Sequence, residues 1–211
     1  MKIIDVENLK LEGVKVIKFG RFPDHRGYFT ESYRKSDFAQ HPDMDFKKDV
    51  EFYQANESYS KAHTVRGLHF QWNPYMGKLV RTLSGRMVDI VLDIRLKSPT
   101  FGKAILYDMP ADKNNNYDQW IWVPPGFAHG NFFPLESTIE YFCSGWHSPG
   151  CEAAISPLSA DIDWSLCDSQ LKSLFDSIIS TTEFISDKDR NGFSLEQWKQ
   201  NPDSEKFVYP G

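Results

Sequence analysis

The sequence predicts an all-β domain, a sandwich or barrel of short strands, with a helical extension at its C-terminal end. Three observations carry this prediction. Between residues 11 and 142, β-like runs alternate with clusters of Gly, Pro, Asn and Asp, the rhythm of strands joined by tight turns. The clearest run, residues 86–94, puts Val88, Ile90, Leu92 and Ile94 on one face and Asp89, Val91 and Asp93 on the other, the two-residue period of a strand. After Trp164 the period changes, and Leu171, Leu174, Phe175 and Ile178 recur at helical spacing behind Asp168, a residue suited to an N-cap.

Further strands are expected at residues 14–19, 28–33, 51–58, 64–71, 78–83, 119–123 and 138–144, enough for two packed sheets. In residues 86–94 one face is expected to be core and the other to carry carboxylates. Residues 194–200 are expected to form another short helix, and residues 201–211 a loosely held tail. A chain of 211 residues accommodates one main domain and an appendage, here a β domain over 1–164 and a helical extension over 165–211 packed on it.

The formal net charge of -5, with no long basic run, argues against a nucleic-acid binder. The start lacks the basic flank and apolar stretch of a signal peptide, and no apolar run of about 18 residues occurs, so a cytoplasmic protein without membrane contact is expected. Cys143, Cys151 and Cys167 form no Cys-x-x-Cys pair and are expected to be free, structural thiols.

Three clusters place ionisable residues inside β-like runs: TVRGLHFQ (64–71), GKLVR (77–81) and PPGFAHG (124–130). Strict alternation in the first puts Arg66, Leu68 and Phe70 on one face and Gly67, His69 and Gln71 on the other. An imidazole facing a barrel mouth suits a general base, because an ordinary pKa of about 6.5 leaves much of it neutral near pH 7. A hydrogen-bonded structural histidine fits the same pattern.

Barrels of the cupin type bind metals through His-x-His followed by Glu, and here His69 stands without the second histidine. His129 fits the second cupin signature, Pro-x-Gly-x-x-His, but two histidines fall short of a stable ligand set, so no metal is expected. Residues 187–192 open like a calcium loop, yet position 12, where a bidentate Glu belongs, is Trp198. Arg26, Arg66, Lys78 and Arg81 could hold a diphosphate through their side chains, there being no glycine-rich phosphate loop.

Together with DHRGYFTE (24–31), QANES (54–58), DIVLDIR (89–95) and SPTFG (98–102), these blocks resemble the dTDP-4-dehydrorhamnose 3,5-epimerase family over residues 22–164. The resemblance implies a cupin-type double-stranded β-helix, or jelly roll, that forms a homodimer with an exchanged N-terminal strand. It also implies a cofactor-independent epimerase of nucleotide-linked 4-keto-6-deoxy sugars, acting at carbon 3, carbon 5 or both, in deoxysugar and cell-surface polysaccharide biosynthesis. By the same resemblance His69 is the general base, Asp189 its carboxylate with Asp187 as local rival, Lys78 the cation beside the carbon-4 oxygen, and Tyr141 the acid on the opposite face. Arg26, Glu31, Gln54, Asn56, Arg66, Asp89 and His129 are given to substrate binding or active-site support, with Arg26 reaching towards the partner subunit's ligand. His147 stands where the family often has a base-stacking Tyr, and residues 164–185 form a longer stretch than is usual.

Two other classes are compatible with the residues: a metal-dependent cupin enzyme built on His129, and a non-catalytic nucleotide-sugar-binding module that leaves His69 structural.

Overall fold

Most of the β-like runs are realised as strands in a computed structural model, which describes residues 1–44 and 50–210; the run expected at 28–33 is strand only over Gly27–Phe29. Among the described residues the order is β1 (Ile3–Asn8), β2 (Lys15–Gly20), β3 (Phe22–Asp24), β4 (Gly27–Phe29), α1 (Lys35–Gln40), β5 (Gln54–Ser60) and β6 (Val65–Gln71). There follow β7 (Lys78–Ser84), β8 (Arg86–Asp93), β9 (Ala104–Pro110), β10 (Tyr117–Val123), β11 (Phe127–Phe132), β12 (Ser137–Cys143) and β13 (Glu152–Ala154). The chain ends in α2 (Ser169–Ile179), α3 (Asp187–Arg190), α4 (Leu195–Gln200) and a 3-10 turn at Pro202–Lys206.

The strands form a six-stranded sheet, β1-β2-β10-β7-β12-β5, facing a five-stranded sheet, β13-β6-β11-β8-β9, with β3 and β4 as a separate hairpin. All the paired strands run antiparallel. This is the all-β jelly roll that the sequence predicts, and its apolar residues fill three layers. Val16, Val80, Val91, Ile105, Ile121 and Ile139 pack between the sheets. Leu68, Phe70, Ile90 and Phe132 cover the outer face of the smaller sheet together with Phe175 and Ile178 of α2 and Trp198 of α4. On the outer face of the larger sheet Leu79, Trp120 and Trp122 meet Phe38 of α1.

Strand β8 corrects the expectation of one core face and one carboxylate face. Both faces are interior: Val88, Ile90 and Leu92 join the outer layer, Val91 the inner one, and Asp89 and Asp93 are fully buried. Burying a carboxylate is tolerable only with partners. Asp93 accepts from the Arg95 guanidinium at 2.8 and 2.9 Å and from the Ser98 and Thr100 hydroxyls, each at 2.6 Å.

The C-terminal helices follow the predicted spacing. Asp168 caps α2 by accepting from the backbone N–H groups of Gln170 and Leu171, an arrangement worth about 1 kcal/mol. Ser194 and Gln197 form a capping box on α4. The last residues are not a loose tail. Phe207 is buried and stands 5.6 Å from the Phe70 ring, while the backbone of Leu96 bonds Phe207 on one side and Tyr209 on the other. No helix among the described residues is long and apolar enough to cross a membrane.

Candidate active site

Between the two sheets, bordering the apolar layer at Val80 and Ile139, lies a cavity of about 690 Å³ lined by His69, Lys78, His129, Tyr141, Arg66 and Asp189 among others. The sheets supply opposite walls: His69 and His129 stand on β6 and β11 of the smaller sheet, Lys78 and Tyr141 on β7 and β12 of the larger one.

The pairing of β6 with β11 decides what His69 shares its wall with. His129 pairs with His69 but Asn131 pairs with Arg66, so two steps along β11 match three along β6, a β-bulge. The bulge needs glycine on both strands. Gly67 has φ +112°, and a Cβ there would come within 2.6 Å of Gly130 Cα; one on Gly130 would meet the Arg66 carbonyl oxygen at 2.3 Å. The extra residue turns Arg66 to the cavity beside His69, contrary to strict alternation, while Leu68 and Phe70 stay in the outer core. Arg66 is held there by its Nε donating to Ser60 Oγ at 3.0 Å and by the Tyr59 carbonyl at 3.1 Å.

His69 is backed by Asp189, with Nε2 to Oδ1 at 2.6 Å. Ser186 caps α3 and fixes that single helical turn, and the other carboxylate oxygen accepts the Gly67 N–H at 3.3 Å. Burial pushes the Asp189 carboxyl up, but the hydrogen bond and charge of His69, the Gly67 N–H and Ser186 outweigh it and hold the group below the usual carboxylate range. The short helix is latched to the barrel through residues 182–190. Thr182 donates to the His63 carbonyl, Val65 N–H to the Phe184 carbonyl, and Ser156 to the Arg190 carbonyl. It is therefore Asp189, and not Asp187, that meets the imidazole, and Trp198, at the position a calcium loop gives to Glu, is fully buried in the outer core.

His129 points its Nε2 at both oxygens of Asp89, at 2.8 and 2.9 Å. Among the described residues no three His, Cys, Asp or Glu side chains converge as metal ligands. Lys78 opens to the cavity but its ammonium is deeply surrounded by protein, and burial pushes its pKa down against the weaker pull of Cys143, Asp89 and Glu152. Tyr141 is raised by burial and by Cys143, with Arg66 and an Asn56 hydrogen bond opposing.

The remaining sequence-predicted residues are dispersed. Gln54 and Asn56 lie on β5 beside Tyr141, outside the residues that line the cavity. Glu31 engages Arg34 and the chain's N-terminal amine. Arg26 tips the exposed β3-β4 hairpin and pairs with Asp24 at 2.7 Å. Arg81 leaves the diphosphate group, because alternation on β7 turns it outwards to Glu140 at 2.7 Å and over the Trp120 ring. His147 is exposed and pairs with Glu152. Sequence reasoning missed Asn131, which shares the cavity wall and lies two residues beyond His129, the strand period that could have found it. It also missed Phe184 and Lys188, which reach the cavity only through the latch and carry no local signal.

The family model described as dTDP-4-dehydrorhamnose 3,5-epimerase matches residues 8–197. The chain is 36% identical over 176 residues to the Shigella flexneri dTDP-4-dehydrorhamnose 3,5-epimerase, covering 81% of this chain and 84% of that one. It is 33% identical over 196 residues to the enzyme of the same name from Methanothermobacter thermautotrophicus, covering 91% and 93%. Among solved structures, the fold superposes with a TM-score of 0.77 and 28% identity on the Legionella pneumophila dTDP-6-deoxy-D-glucose-3,5-epimerase in complex with dTDP-4-keto-L-rhamnose, over 98% and 99% of the two chains. With a histidine and its carboxylate on one wall of a barrel, a lysine and tyrosine on the other, and these matches across nearly all its length, the chain belongs to the dTDP-4-dehydrorhamnose 3,5-epimerase family.

Proposed function

We propose that this protein inverts carbons 3 and 5 of a nucleoside-diphosphate 4-keto-6-deoxy sugar, using side chains alone. The observation that carries this reading is the opposition of the His69–Asp189 pair to Tyr141 across one cavity. Facing sheets pack about 10 Å apart, room for a sugar ring with one residue above and one below.

His69 removes the proton from the carbon beside the ketone, and Asp189 orients the ring and stabilises the imidazolium. Electrons from the broken C–H bond move to the carbon-4 oxygen, where Lys78 supplies positive charge to the enolate. Burial of that ammonium strengthens the interaction, since low dielectric magnifies the attraction to a developing oxyanion. Tyr141 returns a proton from the opposite face, and the configuration inverts. Arg66, with His129 held by Asp89, supports the ligand on the His69 wall.

The family resemblance also supports a cytoplasmic homodimer. Phe22 and Phe29 of the β3-β4 hairpin are 47% and 65% exposed, apolar surface suited to burial against a second copy, which would bring Arg26 towards the partner's cavity. Light scattering coupled to gel filtration should give twice the chain mass.

The test of the activity is proton NMR of the purified, metal-stripped protein with 4-keto nucleotide sugars in deuterated water. Deuterium at carbons 3 and 5 with inversion is expected. Deuterium at one carbon reduces the assignment to a single-position epimerase, and no exchange with any such sugar ends it.

A further inference from the structure

Asn131 carries a carboxamide where the fold calls for an apolar side chain. The two-residue period of β11 puts Phe127, His129 and Asn131 on the face between the sheets, with Phe133 following on the same side. Phe127 and Phe133 belong to the inner apolar layer, and Val80 and Ile139 border the cavity from the opposite sheet. Asn131 itself is 6% exposed and lines the cavity.

Its neighbours in the sheet are engaged elsewhere. Asn131 stands across from Asp89 on β8 and from Arg66 on β6. Both oxygens of Asp89 meet His129 Nε2, and Arg66 donates to Ser60 Oγ and to the Tyr59 carbonyl. Among the described residues no protein group hydrogen-bonds the Asn131 carboxamide, although the residue is held away from bulk solvent at the cavity wall. A buried amide in that state costs folding free energy, so its presence at a cavity wall points to a ligand group that completes it.

A carboxamide offers an acceptor at one end and a donor at the other, and this selects among the parts of a 4-keto-6-deoxy sugar. A methyl group satisfies neither end. A phosphate oxygen satisfies the NH2 and repels the C=O. A hydroxyl both donates and accepts, and serves either. On the reaction proposed above, carbons 3 and 5 invert, carbon 4 is the ketone and carbon 6 a methyl. Carbon 2 therefore bears the one hydroxyl whose direction is the same in substrate and product, as a fixed amide requires. Carbon 2 also adjoins carbon 1, which carries the diphosphate, and Asn131 adjoins Arg66, the cavity guanidinium whose planar fork matches phosphate oxygens.

We propose that Asn131 is the subsite for the carbon-2 hydroxyl of the sugar and makes the protein selective for sugars that carry it. The inference rests on the epimerase reading of the cavity. Asn131 binds and orients the ring and moves no proton.

The experiment measures kcat/KM by NMR exchange in deuterated water for two probes, a nucleoside-diphosphate 4-keto-6-deoxy sugar and its 2-deoxy counterpart, with wild type, Asn131→Leu and Asn131→Ala. Wild type should favour the hydroxyl-bearing sugar by about 10²-fold or more, because the 2-deoxy sugar leaves a buried polar group of the site unpaired. Asn131→Leu should lower kcat/KM for the hydroxyl-bearing sugar by about 10²-fold, mainly through KM, and bring the two sugars within about threefold of each other. Its melting temperature should hold or rise, since an unpartnered buried amide gives way to an apolar side chain of similar size. Asn131→Ala, which adds no bulk to the wall, should show the same collapse of selectivity. An equal loss on both sugars, or a wild type indifferent to the 2-hydroxyl, overturns the proposal and leaves the epimerase standing. Weaker binding of the nucleoside diphosphate alone by both variants would assign Asn131 to the phosphates or the base and overturns it likewise. Absence of exchange with any 4-keto sugar in the wild type overturns the epimerase reading and the inference with it.

Discussion

His69 Nε2 lies 2.6 Å from Asp189 Oδ1, although 120 residues separate them in the chain. The imidazole comes from a core strand of the barrel and the carboxylate from one turn of helix laid on it afterwards. The length of the bond, and the Gly67 N–H that holds the other carboxylate oxygen, make this a rigid pair.

Asp189→Asn should retain the shape and remove the charge that stabilises the imidazolium. Exchange of substrate hydrogen with deuterated water should fall by about 10²- to 10⁴-fold, the range typical of losing general base assistance. NMR time courses measure it, and a loss below about threefold would assign Asp189 a purely structural role.

Lys78→Met should separate activity from stability. Loss of one charge aimed at a developing oxyanion costs about 10²- to 10³-fold in kcat. Stability in urea should hold or rise, because a buried ammonium has been exchanged for an apolar side chain of similar length. A variant that is inactive because it unfolds would contradict this.

Asp93→Ala should be the most damaging carboxylate substitution outside the cavity. It strips the Arg95 guanidinium and the Ser98 and Thr100 hydroxyls of a shared acceptor, and removing one partner of a buried ion pair costs about 3–5 kcal/mol. Burial raises the Asp93 carboxyl, yet Arg95, Ser98 and Thr100 outweigh it and leave the group below 3.8. A depressed carboxyl contributes its stability above the unfolded pKa of about 3.9 and loses it as pH falls through the folded value. Denaturation midpoints of the wild type should therefore drop below about pH 4, and the gap between wild type and Asp93→Ala should narrow there.

Phe207→Ala tests whether the end of the chain is structural. Its ring packs against Phe70, Tyr75 and Trp198, and removing a buried Phe costs about 3–5 kcal/mol. Urea unfolding should show the loss; a change under about 0.5 kcal/mol would restore the expectation of a loose tail.

What could be read from the residues divides along physical lines. The two-sheet architecture and α2 were legible because the 2.0 and 3.6 periods are local properties of the chain. Strands β1, β3, β9, β11 and β13 went unread, β11 because its FAHGNF run holds His129, Gly130 and Asn131 where apolar alternation would be sought. His69 was legible as an inward polar residue, but Arg66 was assigned the wrong face, since a bulge exists only in the register of two strands and neither strand announces it. Asp189 and Asp187 were equal by composition. Ser186 separates them by starting a helical turn that lays residue 189 against β6. The tail was misjudged because its polar composition hides one anchoring ring, that of Phe207.

The latch at residues 182–190 makes the cavity a product of both ends of the sequence: Phe184, Lys188 and Asp189 belong to its lining, and Thr182, Phe184 and Arg190 tie them back to His63, Val65 and Ser156. During synthesis His69 emerges 120 residues before the carboxylate that meets it, so the vessel receives its last wall only when the end of the chain folds back onto β6.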